Sequence, residues 1–561
     1  MVNRDALSSS SKSKTSDGGG CRLRAWVFIT IPILWLEIIY VHKFLLLLPG
    51  GPQDDIHATQ PQRYSMIASE ADGTFNGYPI KYQEITTNHN HNHNNESVYS
   101  TMHCVGETNE PPFLHRRSGK RYDMSWSSRS CHFQFFCYDL DTKDFVLYQD
   151  PKEAQTVQEL FSYGFSSSIA GQKQQQQQQQ EFFHEITQTV FLNKTMLEYP
   201  FGVSIGSINQ KWTHTGINRL NWFPRVRLEQ APSQFYALPS NVALIPFHSL
   251  AAFNPGHLVW DDFLPLYTLL QIFQLDDHDV EPMYIRYQLP GEGVWAGCDW
   301  KKDRAEECQA MLDKFGPLMV RNPAGIPIRT QNNPLLTLHE QTRRSNLVCA
   351  KHGLAGLGSL SDHGVRKGHG WEQRDYGETH NHGRGGQLWR FRNYMIENLG
   401  LPVHKVPATP LKIIFSLESS KTRSLTMDSE IQALEEANLG DDVLIESYKM
   451  KKYSLREQVE MVGQAAIYVT ACGGGAVTAS FLPNGASLIL FYGEDGGIEN
   501  NKRTGKPARL DWDYFNNMAY TRVHWLGRRD KGYGIGIQLF VELVRHELEL
   551  IRTEIAKQEP V

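Results

Sequence analysis

Short apolar runs at 412–417, 442–446, 466–470 and 487–492 alternate with amphipathic stretches at 427–437 and 455–463. Each run is too short for a helix, so each predicts a strand, while the stretches between them carry helical spacing. Ser454 is placed to cap the second helix and Gly440 to end the first. Strands alternating with helices predict right-handed βαβ units, hence a parallel sheet with helices on both faces. Between the last two strands stand three glycines, Gly473, Gly474 and Gly475, and a Pro483-Asn484-Gly485 turn. In an open parallel sheet ligands sit at the carboxyl ends of strands, and glycines let backbone N–H groups approach an anion there. The same glycines also suit a tight turn in a βαβ core, and their spacing matches neither the dinucleotide fingerprint nor the Walker loop.

Upstream the pattern is mixed. Residues 131–148 predict a hairpin turning at Asp141-Thr142-Lys143, and 241–247 predict a strand. Asn254 is then a good N-cap and Pro255 a good first helical residue, so a helix is expected from there through 264–273. His257 and Asp261 fall at i and i+4 on one face of it. An imidazole beside a carboxylate is a credible proton acceptor or substrate anchor, and a helix-stabilising pair is the other reading. Asp139 and Asp141 flank one position as cation-chelating acids do, but a hairpin turn favours Asp for local hydrogen bonding. The glycine- and histidine-dense passage that begins near His352 and includes His363, His369, His380 and His382 reads as a surface or active-site loop without a clean zinc spacing. A helix at 387–398 ends at Gly400-Leu401-Pro402, where a domain boundary fits, and 535–555 form an amphipathic terminal helix able to pack back across two lobes.

The loop after the strand at 412–417 carries Ser420, Lys421 and Arg423. It lies on the same carboxyl edge as the glycines. Two basic side chains, several hydroxyls and a glycine-lined helix N-terminus on one edge suit a diphosphate.

Composition places this machinery in a compartment. The chain has 561 residues, 40 % of them hydrophobic, and a formal net charge of −5, so no global basicity advertises nucleic acid and no such partner is expected. Residues 25–48 are apolar enough and long enough to cross a hydrocarbon core of about 30 Å, despite Glu37, His42 and Lys43. The preceding tail is basic, with Arg4, Lys12, Lys14, Arg22 and Arg24, so it is expected to stay cytoplasmic while the rest is translocated. Residues 51–100 end in a His/Asn run and read as a disordered stem, and 172–180 as a glutamine-rich surface insertion. Acceptor sequons stand at Asn95 and Asn193. Of eight cysteines, Cys131 and Cys137 are close enough in sequence to pair, as are Cys298 and Cys308, which leaves at least one of Cys104, Cys349 and Cys472 free or intermolecular.

Four segments, RSCHFQFFCYDLD (129–141), FNPGHLVWDDFLPLY (253–267), KIIFSLESSKTRS (412–424) and SLREQVEMVGQAAIYVTACGGGAVTASFLPNGASLILF (454–491), together resemble glycosyltransferase family 61 in order and spacing. The resemblance covers about 100–530. It implies an α/β, GT-B-like fold of two Rossmann-like lobes around a cleft, preceded by one transmembrane helix and the stem. The expected divisions are a cytoplasmic tail (1–24), an anchor (25–48), a stem (49–100), an N-terminal acceptor-side lobe with the polyGln insertion (101–400), a C-terminal nucleotide-sugar-binding lobe (401–533) and a terminal helix (534–561).

The resemblance further implies an inverting transferase, single-pass type II in the Golgi membrane or endoplasmic reticulum, with its catalytic domain luminal. It would move a sugar from a nucleotide-sugar donor to a glycan or glycoprotein hydroxyl without a metal or other cofactor. Carried over by position, Asp261 and His257 are the catalytic pair, and Lys421, Arg423, Ser420, Gly473, Gly474 and Gly475 bind the donor. The chain departs from the family at Cys472, where H-G-A-G is common and the run here is Cys-Gly-Gly-Gly. It departs again near Leu417 and Leu490, where basic and acidic residues are common, with Glu494 the substitute for the acid. These departures motivate the alternative of a catalytically inactive luminal glycan-binding protein on the same fold.

Overall fold

The computed structural model describes, apart from short gaps and isolated strand pairs, residues 99–105, 130–148, 224–286, 302–320, 345–356, 385–419, 425–492, 509–527 and 535–558. The expected anchor and glutamine insertion lie outside the described residues, as does the expected stem apart from residues 99–100 and the antiparallel strand pair Thr74–Phe75 and Tyr78–Pro79; among the described residues, no helix is long and apolar enough to cross a membrane.

The N-terminal half is built on a nine-stranded sheet. Its strands are β1 (Thr101–Val105), β2 (Ser130–Asp139), β3 (Asp144–Tyr148), β4 (Arg225–Arg227), β5 (Tyr236–Ala237), β6 (Val242–Phe247), β7 (Glu281–Arg286), β8 (Ile328–Thr330) and β9 (Leu347–Ala355). They run in the order β4-β3-β2-β9-β6-β7-β8, with β5 on β9 and β1 on β2. The four strands β8, β7, β6 and β9 are mutually parallel. Numbered by their own chain order they lie 3-2-1-4, the arrangement of half a doubly wound sheet. The rest of this sheet is not Rossmann-like: β2 pairs antiparallel with β9, β3 and β1. The reason is the expected hairpin, because a link of a few residues between β2 and β3 permits only antiparallel pairing.

Antiparallel pairing also corrects the disulfides. Cys131 and Cys137 sit on one extended strand, about 20 Å apart at the rise of a β-strand, so they cannot bond each other. Each instead bonds its partner in register on a neighbouring strand, giving Cys104–Cys131 and Cys137–Cys349. Cys298–Cys308 pairs as expected, and Cys472 is a buried thiol outside the disulfides.

The C-terminal half follows the predicted alternation closely from 411 to 492 and adds a helix and a strand between 509 and 527 that were not expected. After the helices α1 (Leu264–Ile272), α2 (Lys302–Phe315) and α3 (Gly385–Asn398), it comprises β10 (Leu411–Ser416), α4 (Asp428–Glu436), β11 (Val443–Tyr448), α5 (Leu455–Val462), β12 (Ala465–Ala471), β13 (Ala486–Tyr492), α6 (Arg509–Phe515), β14 (Thr521–Gly527) and α7 (Ile537–Gln558). Ser454 caps α5 in a full capping box with Glu457. The five strands are all parallel in the order β11-β10-β12-β13-β14. That is 2-1-3-4-5, the other common doubly wound order. Helix α7 lies on this sheet, burying Phe540, Val541, Val544 and Leu548 beside Ile413, Val469 and Ile489. Arg522 and Ser487 donate to its Glu547, and Arg552 pairs with Asp442 at 2.5 Å. The terminal helix is thus a cover for the C-terminal sheet.

Between the halves stand α1 (Leu264–Ile272), α2 (Lys302–Phe315) and α3 (Gly385–Asn398). One hydrophobic core runs from Phe247 through Trp260, Leu269 and Phe391 to Ile414, Tyr468 and Leu488. Arg392 of α3 is fully buried in it and is satisfied by donating to the carbonyls of Phe481 and His404, with its guanidinium over Trp389. Burial pulls its pKa down to about 10, still far above neutrality.

Candidate active site

Doubly wound sheets bind ligands where the strand order reverses, outside the carboxyl ends of the strands. In the C-terminal sheet that point lies between β10 and β12, and the loops that leave these strands begin at Leu417 and Cys472. Sequence periodicity placed both loops on one edge, and the strand order places them side by side. Gly473 has φ +116°, backbone that a residue with a side chain adopts only under strain. It leads into a short 3₁₀ helix, Gly474–Phe481. A Cβ on Gly474 would meet Asn254 Oδ1 and Pro255, and one on Gly475 would collide with Ser419. The glycines are therefore required for close approach on two sides at once. Ser419 Oγ is buried and finds no hydrogen-bond partner among the described residues. Ser420, Lys421 and Arg423 lie outside the described residues. Their neighbour Glu418 pairs with Lys451 at 2.5 Å, and that contact holds its carboxyl below the ordinary carboxylate range.

Asn254 and Pro255, which press on Gly474, begin the helix that bears the predicted pair. Asn254 Oδ1 accepts from the Gly256 N–H at 3.1 Å, as a cap should. The first turns are not α-helical, however. His257–Phe263 form a π segment before α1 continues, a departure common at functional sites and invisible to hydrophobic spacing. His257 Nδ1 and Asp261 Oδ2 stand 2.6 Å apart. Asp261 is 1 % exposed and the His257 side chain 14 %, so the carboxylate is the more deeply buried member of the pair. With Asp261 ionised, Nδ1 carries the proton and donates it, and Nε2 presents its lone pair. Next in sequence, Asp262 accepts from Ser249, just past the end of β6. His248 and Arg286 are buried at the carboxyl ends of β6 and β7, so polar groups gather on this edge as well. Periodicity had no means to single them out, although His248-Ser249 directly follows a predicted strand.

Other expected candidates resolve differently. Asp139 accepts from the N–H groups of Asp141 and Thr142 at 3.0 and 3.2 Å, and Asp141 accepts from Asn346 at 2.7 Å, which is the hairpin-turn reading of that acid pair. His352 meets His132 of β2 at 3.0 Å. Burial, aided by His352 and His103, lowers the His132 pKa to about 4, and burial with Lys351 nearby lowers that of His352. The other histidines of the glycine-rich passage lie outside the described residues. Sequence reading missed Asp511 of α6, whose Oδ2 accepts from Cys472 Sγ at 2.8 Å and from the Gly473 N–H.

No protein-family model matches the chain, and no curated protein matches it. Among solved structures, it is similar to the E. coli heptosyltransferase WaaC with ADP, at 8 % identity and TM-score 0.22, over 55 % of this chain and 99 % of that one. It is also similar to the iron-containing dodecameric glycosyltransferase TibC from enterotoxigenic E. coli H10407, at 11 % identity and TM-score 0.19, over 52 % of this chain and 71 % of that one. Likeness at these scores defines neither fold nor function. The class the coordinates themselves define is a mixed α/β protein with two sets of parallel strands and an ionisable pair beside a glycine loop at a switch point.

Proposed function

We propose that this chain is an inverting glycosyltransferase of the family 61 kind, taking a sugar from a nucleotide-sugar donor to a hydroxyl of a glycan or glycoprotein. The observation that carries the reading is the contact of Gly474 with Asn254 and Pro255, which sets the glycine loop against the turn holding the His257–Asp261 pair. A diphosphate-binding loop and a proton acceptor are the two things such a transfer needs within reach of each other.

In the proposed reaction the acceptor hydroxyl gives its proton to His257 Nε2 as its oxygen attacks the anomeric carbon. The bond from that carbon to the diphosphate oxygen breaks with its electron pair leaving on the diphosphate, so one displacement inverts the centre. Asp261 holds the ring's orientation and stabilises the imidazolium that forms. Lys421, Arg423, the Ser420 hydroxyl and the N–H groups of Gly474 and Gly475 stabilise the departing charge, while the Gly473 N–H is taken by Asp511. No metal or other cofactor is invoked, because the acid pair at Asp139 and Asp141 is engaged in turn hydrogen bonds. The proposal includes residues 25–48 as a type II anchor in the Golgi or endoplasmic reticulum membrane, with everything after it luminal.

The test is detergent-solubilised full chain presented with a panel of uridine and guanosine diphosphate sugars and glycan acceptors. Turnover that is lost in H257Q and D261N and insensitive to chelators supports the reading. No turnover and no nucleotide binding across the panel overturns it. The second reading, an inactive glycan-binding protein, is favoured by one observation, the commitment of Cys472 to a carboxylate where the family has a histidine. It predicts glycan binding that survives Arg423→Ala combined with Asp261→Asn.

A further inference from the structure

Asp511 has no part in the reaction above, yet it is a carboxylate 1 % exposed that reaches the glycine loop from another element. It accepts from two consecutive residues, the Cys472 thiol and the Gly473 N–H, where β12 leaves the sheet and the backbone takes its positive φ. A sparsely populated backbone conformation persists only where its surroundings over-determine it. The same short helix, α6, also grips the opposite wall of the site. Tyr514 stacks on Trp260 at 4.6 Å between ring centroids, and Phe515 meets that ring edge-on at 5.3 Å. Trp260 stands in the π turn beside Asp261 and donates to Ser480 Oγ at 3.3 Å, within the 3₁₀ helix that the glycine loop opens.

We propose that Asp511 is a positioning residue that sets the glycine loop and, through α6 and Trp260, registers the donor side of the site against the turn carrying His257. The Gly473 N–H is turned inward to Asp511, so the donor diphosphate is read by the remainder of the glycine loop. The inference rests on the glycosyl-transfer reading.

The experiment compares wild type, D511A and D511N as full chains. UDP and GDP binding is measured directly, and steady-state kinetics are run with whichever diphosphate sugar the wild type turns over. D511A is expected to weaken nucleotide binding and raise donor KM about tenfold or more, the loss typical of a hydrogen bond to a charged group, with acceptor KM unchanged. D511N keeps an oxygen able to accept the Gly473 N–H and is expected to recover most of the donor KM. Equal losses of thermal stability in both variants, with nucleotide affinity unchanged, would overturn the inference. If the wild type neither binds nor turns over any nucleotide, it is the transferase reading that fails. Hydrogen exchange then decides the role of Asp511: amides of 473–481 must exchange faster in D511A, and unchanged protection overturns it.

Discussion

At the scale of single residues, the exposure difference between His257 and Asp261 assigns roles that spacing could not. Two residues at i and i+4 say only that the side chains meet. The structure adds that the carboxylate is the more deeply buried of the two, 1 % exposed against 14 % for the His257 side chain, and in the proposed transferase the ring is therefore the group assigned to the acceptor. Asp261→Asn is accordingly expected to lower kcat by about 10²–10⁴-fold while leaving donor affinity and thermal stability near wild type, because an amide can hold the ring in the wrong tautomer. Kinetics with circular dichroism on the same sample check it. His132 gives a pH prediction of definite sign. Its folded pKa of about 4 lies below the ordinary imidazole value of 6.5, so the unfolded chain takes up a proton first as pH falls. The stability is complete above pH 6.5 and is lost progressively between there and about pH 4. A thermal-melt series should show that decline, and His132→Gln should flatten it; a decline of unchanged slope would remove His132 as its source.

At the scale of elements, the strands and helices from β10 to β13 and the terminal helix α7 were legible to within a few residues, while α6 and β14 were not anticipated. Fully buried parallel strands read as unbroken apolar runs, and their helices carry strong caps such as Ser454 with Glu457. The glycine loop was legible for the same reason, standing between two such runs. The π segment at His257–Phe263 was not, since one extra residue per turn leaves apolar spacing almost unchanged over seven residues. Nor was Asp511, which meets a loop 38 residues away through a short helix with no apolar run to announce it. The glycines themselves carry a prediction. Gly474→Ala must push on Asn254 and Gly475→Ala on Ser419, each by a methyl in a filled space, at a cost of about 1–3 kcal/mol. Both variants are expected to melt earlier and to lose UDP or GDP binding. By contrast Gly386→Ala, whose new methyl meets nothing within 4 Å, should alter neither property.

At the scale of the whole molecule, the cysteines were the least legible feature, because pairing across strands depends on register, and register is set by partners far along the chain. Cys137 and Cys349 are 212 residues apart, and between them run β3 to β8, α1 and α2, including the His257 turn. Closing so long a loop removes much of the unfolded chain's freedom, about 5 kcal/mol in the chain-entropy account. By contrast Cys298–Cys308 closes a separation of 10 residues and by the same reasoning stabilises less. The C137S/C349S double variant is therefore expected to melt well below the C298S/C308S double variant, by several degrees in a calorimetric scan at equal pH. The ordering also bears on the compartment. A sheet whose neighbouring strands are stapled across such a separation gains full stability only where disulfides persist. Melting the wild type with and without reductant measures that dependence, and a Tm indifferent to reductant would count against the cross-strand bonds as contributors to stability.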